Sequence, residues 1–489
     1  MTAPCATLAP VTDAEPSTLA PGTAGSPSLG PDDLARLTGG RLLTRSDRAI
    51  RGAAVDSRLV WPGELFVALP GERTDGHEFI DEAIARGAAA LLVTRPVPDP
   101  AALGDLTIVR VADALAALAD LAAGWRRRFQ PLVVGVTGSI AKTSTKEATA
   151  AVLASRLTTL RSEGNQNNEV GLPLTLLRLG PEHEAAVLEM GMYVGGEIAE
   201  LARIAAPSIG VVTAVQPVHL ERIGSLRAIE QAKGELLEAL PPDGRAILNA
   251  DDPIVRRMGG RSVARSTTYG FDRGADVTAE GVETAGLAGM RFQLRTDAGT
   301  RPVAIPTLGR LSVHNALAAA AVGLVAGLSL DDIVTGLEAG WLAPHRVQVV
   351  RAGGVTLIDD SYNASPRSVV SALDLLAGLP GRRGAVLGEM LELGDASHGG
   401  HHVVGEAAAR TADWLVVVGP AAAGIVEGAL AAGMEPGRVS QVPDVDAARE
   451  HLLPRLRDGD VVLVKASRGV GLERLVDGLV ATAPWRSGR

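Results

Sequence analysis

The run Gly138-Ser139-Ile140-Ala141-Lys142-Thr143-Ser144 concentrates residue types that bind phosphate, and it lies between an apolar run, Leu132 to Val136, and a helical stretch, Glu147 to Leu153. A strand, a tight loop and a helix in that order aim several backbone N–H groups and a helix N-terminus at one spot, which makes a cradle for phosphate oxygens. Lys142 would then reach the terminal phosphates of a nucleotide, and the Thr143 hydroxyl can hold Mg²⁺. The loop departs from the usual pattern at Ala141, where a glycine is expected before the lysine; if the position needs a positive φ, alanine costs about 1 kcal/mol. A glycine turn without a ligand is the alternative for this segment taken alone. Glu189 ends the next apolar run, Ala185 to Leu188, with a carboxylate where open α/β sheets place ligands, so it is a candidate metal ligand. His219 follows the run Ile209 to Val215 and is a second candidate on a neighbouring loop, against the ordinary structural use of a lone histidine.

The basic residues carry a further signal. Of 47, only four are lysine (Lys142, Lys146, Lys233, Lys465) and 43 are arginine. A primary amine can act as a compact phosphate ligand, form a Schiff base or be carbamylated, whereas a guanidinium cannot, so each retained lysine is a functional candidate against chance survival. Lys233 lies in a helical pattern from Ala228 to Leu240, where the plain alternative is a solvated lysine.

The elements that must position these groups follow from the length of 489 residues, which at roughly 150 residues per domain suggests about three domains. Residues 1–29 are rich in Pro, Ala, Ser and Thr without Lys or Arg and are expected to be disordered; lacking a basic start and an apolar core, they do not look like a targeting signal, so a cytoplasmic protein is expected. Residues 30–127 alternate short helical and apolar runs (Glu64 to Leu69, Ala88 to Val93, Leu106 to Val111) and predict a small α/β domain. Residues 128–341 place apolar runs Leu132 to Val136, Ala185 to Leu188, Ile209 to Val215 and Arg245 to Leu248 between helical stretches, as strands buried on both faces do. Residues 342–489 repeat that pattern, with Val355 to Ile358, Gly384 to Leu387, Trp414 to Val418 and Asp460 to Val464, as a second doubly wound sheet. A net charge of -9 argues against general nucleic-acid binding, a single cysteine excludes an intrachain disulfide, and the uncharged stretch Leu311 to Leu330, with Ser312, His314 and Asn315, predicts a buried helix rather than a membrane span.

From about Asp56 to Glu473 the sequence resembles the Mur ligases of bacterial cell-wall synthesis. The segments that carry the likeness are Asp56-Ser57-Arg58, Phe66 to Leu69 and Asp75-Gly76-His77 in the first domain, Gly164 to Pro173, His219-Leu220-Glu221 and Ala232 to Glu235 in the centre, and Asp359-Asp360-Ser361-Tyr362-Asn363-Ala364-Ser365-Pro366, Leu387 to Gly394 and Val464 to Gly469 in the third. Within the family the Asp-Ser-Tyr-Asn stretch points to the branch that joins D-alanyl-D-alanine to UDP-N-acetylmuramoyl-tripeptide, and the Asp-Asn-Pro-Arg motif of the diamino-acid-adding branch is missing. The likeness implies a three-domain α/β architecture: an N-terminal domain for the UDP-sugar, a central ATPase-like domain with a mostly parallel sheet, and a C-terminal Rossmann-like domain on the dipeptide side.

It also implies roles. Gly138 to Ser144, Asn315 and Arg346 would bind ATP, and Thr143, Glu189, His219 and a carbamylated Lys233 would hold two Mg²⁺ ions. Ser57, Arg58, Asp75, His77, Asn165 and Asn168 would face the nucleotide-sugar substrate, and Asp360, Tyr362 and Asn363 would close the site from the third domain. The chemistry implied is amide formation through an acyl phosphate by a monomer, with Lys142, Lys233, His219 and Glu189 carrying it. The departures at Ala141, at Gly309-Arg310-Leu311-Ser312, which lacks a usual histidine, and at Ser365 keep alternatives open: an impaired paralogue that only binds the nucleotide sugar, or a related ligase with another amine. A different phosphate-loop kinase or GTPase would leave the third-domain motifs unexplained.

Overall fold

Glycines in the middle of two central strands decide how closely the site's helix can approach its sheet. In the computed structural model, which describes residues 28–71, 74–97, 99–217 and 223–483, β6 (Leu132–Thr137) and β9 (Ile209–Val212) carry Gly135 and Gly210. A Cβ on either would lie 2.9 and 3.1 Å from atoms of Leu236. The helix Leu226–Glu238 therefore rests almost on the backbone of the sheet, and Lys233 comes with it.

Among the described residues there are three sheets. The first runs β1-β5-β4-β3-β2 (Arg41–Thr44, Thr107–Arg110, Ala90–Val93, Leu65–Val67, Ala53–Ala54), parallel apart from β1. The helix Ala114–Arg126 leaves it and packs Leu118, Leu121 and Trp125 into one core with Leu172, Leu176 and Leu201 of the central region. The second sheet is ordered β14-β13-β12-β11-β10-β9-β6-β8-β7. Its strands β7 (Thr159–Arg161), β8 (Ala185–Glu189), β10 (Arg245–Asn249), β11 (Arg265–Gly270) and β12 (Val277–Thr284) are parallel with β6 and β9, while β13 (Met290–Thr296) and β14 (Gly299–Ile305) extend it antiparallel. The third is β15-β16-β20-β17-β18-β19 (Gln348–Ala352, Val355–Asp359, Asp460–Lys465, Arg382–Gly388, Trp414–Val418, Val439–Val442), with only β15 antiparallel.

The apolar runs expected to be strands are β3 to β6, β8 to β10, β16 to β18 and β20. The hairpin region β12 to β14 was not expected: β13 alternates buried and exposed residues along Met290–Thr296, so it lacks the continuous apolar run of its neighbours. The stretch from Leu311 lies mainly in the helix Arg310–Val325, whose residues Val313 and Asn315 to Gly323 are buried, and no helix among the described residues is long and apolar enough to cross a membrane. The expectation of disorder over 1–29 falls on residues outside the described ones up to 27, and is corrected at its end. Leu29 is buried and its N–H donates to Ile50 O at 2.9 Å, because a leucine next to the first helix can complete the core of the first domain.

Glu64, next to β3, is buried with, among the described residues, only the Trp61 N–H hydrogen-bonded to its carboxylate, at 2.8 Å, and burial pushes its carboxyl up to about 7. A folded-state pKa raised above the unfolded value of 4.5 means that the folded chain binds this proton more tightly. Its contribution therefore favours the fold below about pH 4.5 and is lost as pH rises through about 7. Glu64→Gln is expected to stabilise the protein above pH 7, by at most about 3 kcal/mol, with the gain fading towards pH 5. Denaturant midpoints across that range check it, and a gain independent of pH would count against the assignment.

Candidate functional site

Because β6 and β8 are parallel neighbours with Val136 opposite Glu189, the loop after one and the carboxylate ending the other must meet. They do so tightly. Thr143 Oγ1 donates to Glu189 Oε2 at 2.8 Å, and Asn167 Nδ2 donates to Glu189 Oε1 at 2.8 Å, while Glu189 N–H donates to Ser162 Oγ at 3.1 Å. The carboxylate is buried, and both its oxygens meet neutral donors. A buried carboxylate whose direct donors are neutral, beside a threonine hydroxyl, fits a hard divalent cation, and Mg²⁺ commonly uses one or two protein oxygens with phosphate and water for the rest. No group of three or more His, Cys, Asp or Glu suited to a metal occurs among the described residues, so the donor set suits such a shared site rather than an all-protein cage.

The loop itself is held from β9. Ser139 N–H donates to Ala214 O at 2.8 Å, Ser139 Oγ to Gln216 O at 3.0 Å, and Thr213 Oγ1 to Ile140 O at 2.6 Å. Ala141 caps the helix Lys142–Ala154 at φ 65°, the left-handed region, and the departure from glycine is thus accommodated with strain. Ala141→Gly is expected to raise stability by about 0.5–1 kcal/mol, a rise of roughly 1–3 °C in the melting temperature of the central domain. An unchanged or lower melting temperature would show that the loop is not strained there. Ser144 is half-buried on the first turn of the same helix.

Three cations converge on this loop. Lys142 Nζ donates to Gly138 O at 2.9 Å. Burial holds the Lys142 ammonium below the usual lysine range, with the Glu189 charge opposing and the Arg346 charge adding to that depression. Lys233 is 3% exposed and makes no hydrogen bond or ion pair among the described residues. Burial, aided by the Lys142 charge, lowers its pKa well below the ordinary value. A solvated surface lysine is therefore the wrong description of Lys233. His219 lies outside the described residues.

In the third domain, the ends of β16 and β20 bring Asp360 and Lys465 together. Lys465 Nζ donates to Asp360 Oδ2 at 2.6 Å and to Asn363 O at 2.9 Å, while Asn363 Oδ1 accepts from Ala364 N–H at 2.9 Å. The Tyr362 ring has the Arg346 guanidinium 4.0 Å from its centroid and that of Arg468 at 5.2 Å, and Arg468 also donates to Tyr362 Oη at 3.2 Å. Arg346 Nε is buried without a hydrogen-bond partner. Of these cations, Arg346 is the one whose charge is felt at Lys142 of the phosphate loop.

Other candidates stand elsewhere or are already engaged. Asn315 Oδ1 accepts from Thr145 Oγ1 at 3.2 Å, locking two helices, and the neighbouring Leu311 is exposed. Asn168 Oδ1 accepts from Gly171 N–H at 2.9 Å and shapes its own loop, and Asn165 is exposed. In the first domain, Ser57 Oγ donates to Glu82 at 2.6 Å and Arg58 makes a two-point ion pair with Asp56. Asp75 takes the His77 N–H and Nδ1, at 2.9 and 2.6 Å, and the Arg95 guanidinium, while His77 Nε2 accepts from Thr94 N–H at 3.0 Å. Both His77 nitrogens are thereby committed to the turn that ties β3 to β4. Asn167 and Ser162, which orient Glu189, were missed: the asparagine-rich loop drew attention, but spacing could not say which asparagine turns inward. Lys465 was marked by its rarity and by its place in the Val464 to Gly469 likeness, but was given no role in the site.

Comparison with known proteins agrees with this geometry along the chain. Residues 49–126 match the family model described as Mur ligase family, catalytic domain; residues 136–323 match the Mur ligase middle domain; and residues 345–468 match Mur ligase, glutamate ligase domain. The chain is 40% identical over 465 residues to the UDP-N-acetylmuramoyl-tripeptide--D-alanyl-D-alanine ligase of Mycobacterium tuberculosis, covering 87% of this chain and 91% of that protein. Crystal structures of MurF from Acinetobacter baumannii (TM-score 0.85, 31% identity, 94% of this chain and 100% of that one) and of MurF ligase from Thermotoga maritima in complex with ADP (TM-score 0.76, 30% identity, 88% and 97%) share its fold. With three sheets in this order, a strand, loop and helix that bring Lys142 and Thr143 beside Glu189, and relatives of this identity over most of its length, the chain belongs to the Mur ligase family.

Proposed function

We propose that this chain is the ATP-dependent ligase that joins D-alanyl-D-alanine to UDP-N-acetylmuramoyl-tripeptide in the cytoplasm, the last step in making the pentapeptide precursor there. The observation that carries this reading is the closure of Thr143 and Glu189 on one buried spot beside Lys142, within a chain similar along its length to ligases of that name. The similar MurF ligase from T. maritima has been crystallised in complex with ADP, which supports ATP at the phosphate loop here.

A carboxylate is a poor electrophile, and phosphorylation of the substrate's terminal carboxylate supplies a leaving group that the dipeptide amine displaces, forming the amide and releasing phosphate. In this scheme the loop N–H groups and Lys142 neutralise the transferred phosphoryl group, and Arg346 approaches from the other side. Thr143 and Glu189, fixed by Asn167, would hold one Mg²⁺. Bound there, the ion supplies charge neutralisation at the phosphate oxygens. Lys233 suits the carbamylated form assigned to it: a buried, unpartnered amine of lowered pKa is neutral more often, and the neutral amine adds to CO₂ with loss of a proton. The product is an anion able to help hold a second cation, together with His219. Ser57, Arg58, Asp75 and His77 would shape the nucleotide-sugar end, with Asn165 and Asn168 nearer the centre, and Asp360, Tyr362 and Asn363 the dipeptide end. The chain would act as a monomer.

Phosphate release by the purified chain with ATP and Mg²⁺ tests the reading. Release is expected only when both UDP-N-acetylmuramoyl-tripeptide and D-alanyl-D-alanine are present, with the pentapeptide product seen by mass. Tight binding of the nucleotide sugar without release would instead favour an impaired paralogue.

A further inference from the structure

The segment that carries Arg346 has an unusual backbone. His345 and Val347, on either side of it, have φ of 57° and 52°, a region L residues avoid and a β-branched valine avoids most. They are two of the five non-glycine residues with positive φ among the described residues. Such a conformation persists only where its surroundings over-determine it. Here the surroundings can be named. His345 Nδ1–H donates to Asp359 Oδ2 at 2.7 Å; the Asp359 carboxylate is buried and is braced by the Ser361 N–H and Oγ, at 3.1 and 2.6 Å. His345 O accepts from Tyr362 N–H at 3.1 Å, and His345 N–H donates to the Gln348 side chain at 3.3 Å. The bend is thus tied to the end of β16 on both sides of Arg346, and the guanidinium it presents lies on Tyr362 with a buried, unpartnered Nε.

We propose that His345 is a positioning residue: its imidazole, tied to Asp359, latches a strained bend that aims the Arg346 guanidinium at the phosphate loop. The proposal rests on the reading that ATP binds at that loop. Once the latch is released, the strain at His345 and Val347 favours relaxation, and Arg346 leaves the place where its charge reaches Lys142. The charged groups facing His345 are Asp359 from β16 and Glu473 and Asp477 from the helix Glu473–Ala481; Asp360 is paired with Lys465. All three facing groups are acidic, and the bond to Asp359 first, then the charges, hold the imidazole pKa above its ordinary value. The charged latch therefore persists to higher pH than an ordinary imidazole would allow and weakens as pH rises through the raised imidazole pKa.

The test is calorimetric binding of a non-hydrolysable ATP analogue with Mg²⁺ to the full chain, from about pH 6 to 9.5, for wild type, His345→Ala and Val347→Gly, with melting temperatures alongside. Wild-type affinity is expected to fall at high pH through two contributions, the latch and Lys142. His345→Ala is expected to bind at least fivefold more weakly at pH 7 and to lose the latch's part of the pH dependence, leaving the part due to Lys142. Val347→Gly, which relieves strain with the latch intact, is expected to stay within twofold of wild type. Wild-type affinity in His345→Ala, or a loss with the full pH profile retained, overturns the proposal. If wild type binds no adenine nucleotide, the ligase reading fails, and amide hydrogen exchange at Arg346 to Gln348 decides the latch: faster exchange in His345→Ala supports it, and unchanged exchange overturns it.

Discussion

Lys233→Arg is expected to lower turnover by roughly 10³-fold or more while leaving the fold intact, because it keeps the positive charge and removes the amine that a carbamate needs. The structure makes the argument sharper than rarity alone. Lys233 sits 3% exposed on a helix brought against β6 and β9 by Gly135 and Gly210, and it makes no ion pair among the described residues that would account for a buried cation. A buried ammonium left without an anion is costly, and conversion to a carbamate changes its sign where a metal ion and phosphates would compensate it. The wild type should accordingly lose activity in CO₂-depleted buffer and regain it with bicarbonate, whereas the arginine variant should respond to neither. An active Lys233→Arg enzyme would end the carbamate assignment and leave Lys233 a simple cation.

Gly138→Ala is expected to weaken ATP binding by roughly 10²-fold, since misplacing a cradle by an ångström is enough for that. A Cβ at this position would lie 1.9 Å from Thr213 Oγ1 and 3.0 Å from the Ala214 backbone nitrogen. Thr213 cannot easily yield, because its hydroxyl donates to Ile140 O and its carbonyl accepts from Asn249 Nδ2 at 2.7 Å. The methyl must therefore displace the loop. Adding Thr213→Ala should recover part of the loss by opening space, and this non-additivity separates a local clash from a general loss of fold. Near-normal nucleotide affinity in Gly138→Ala would mean that the loop does not cradle phosphate.

The parallel strands β3 to β6, β8 to β10, β16 to β18 and β20 were legible because burial leaves an unbroken apolar run, as in Leu132 to Val136 or Trp414 to Val418. The hairpins β13 and β14 were not, because one face of each is exposed and the apolar signal is halved. Residue types at strand ends identified Lys142, Thr143 and Glu189 correctly as neighbours in space, since adjacent parallel strands bring their ends together. The inward or outward turn of an asparagine is settled by a few loop dihedrals, so Asn167 was passed over in favour of Asn165 and Asn168. His77 was placed at the nucleotide-sugar end by the family likeness alone; the fold gives its two ring nitrogens to Asp75 Oδ1 and the Thr94 N–H. Likewise the strain around Arg346 has no trace in composition, because neither histidine nor valine advertises a positive φ.

The placement of the lysines has a consequence for proteolysis. Lys146, Lys233 and Lys465 are buried, and Lys142 is half-buried with its amine on Gly138 O. A lysine-specific endoprotease therefore meets no open cleavage site on the native chain, although 43 arginines offer trypsin many. Cutting by such a protease has to wait for a domain to open, so its rate reads the population of opened molecules. The four scissile positions divide that reading, with Lys142, Lys146 and Lys233 reporting on the central sheet and Lys465 on the C-terminal one.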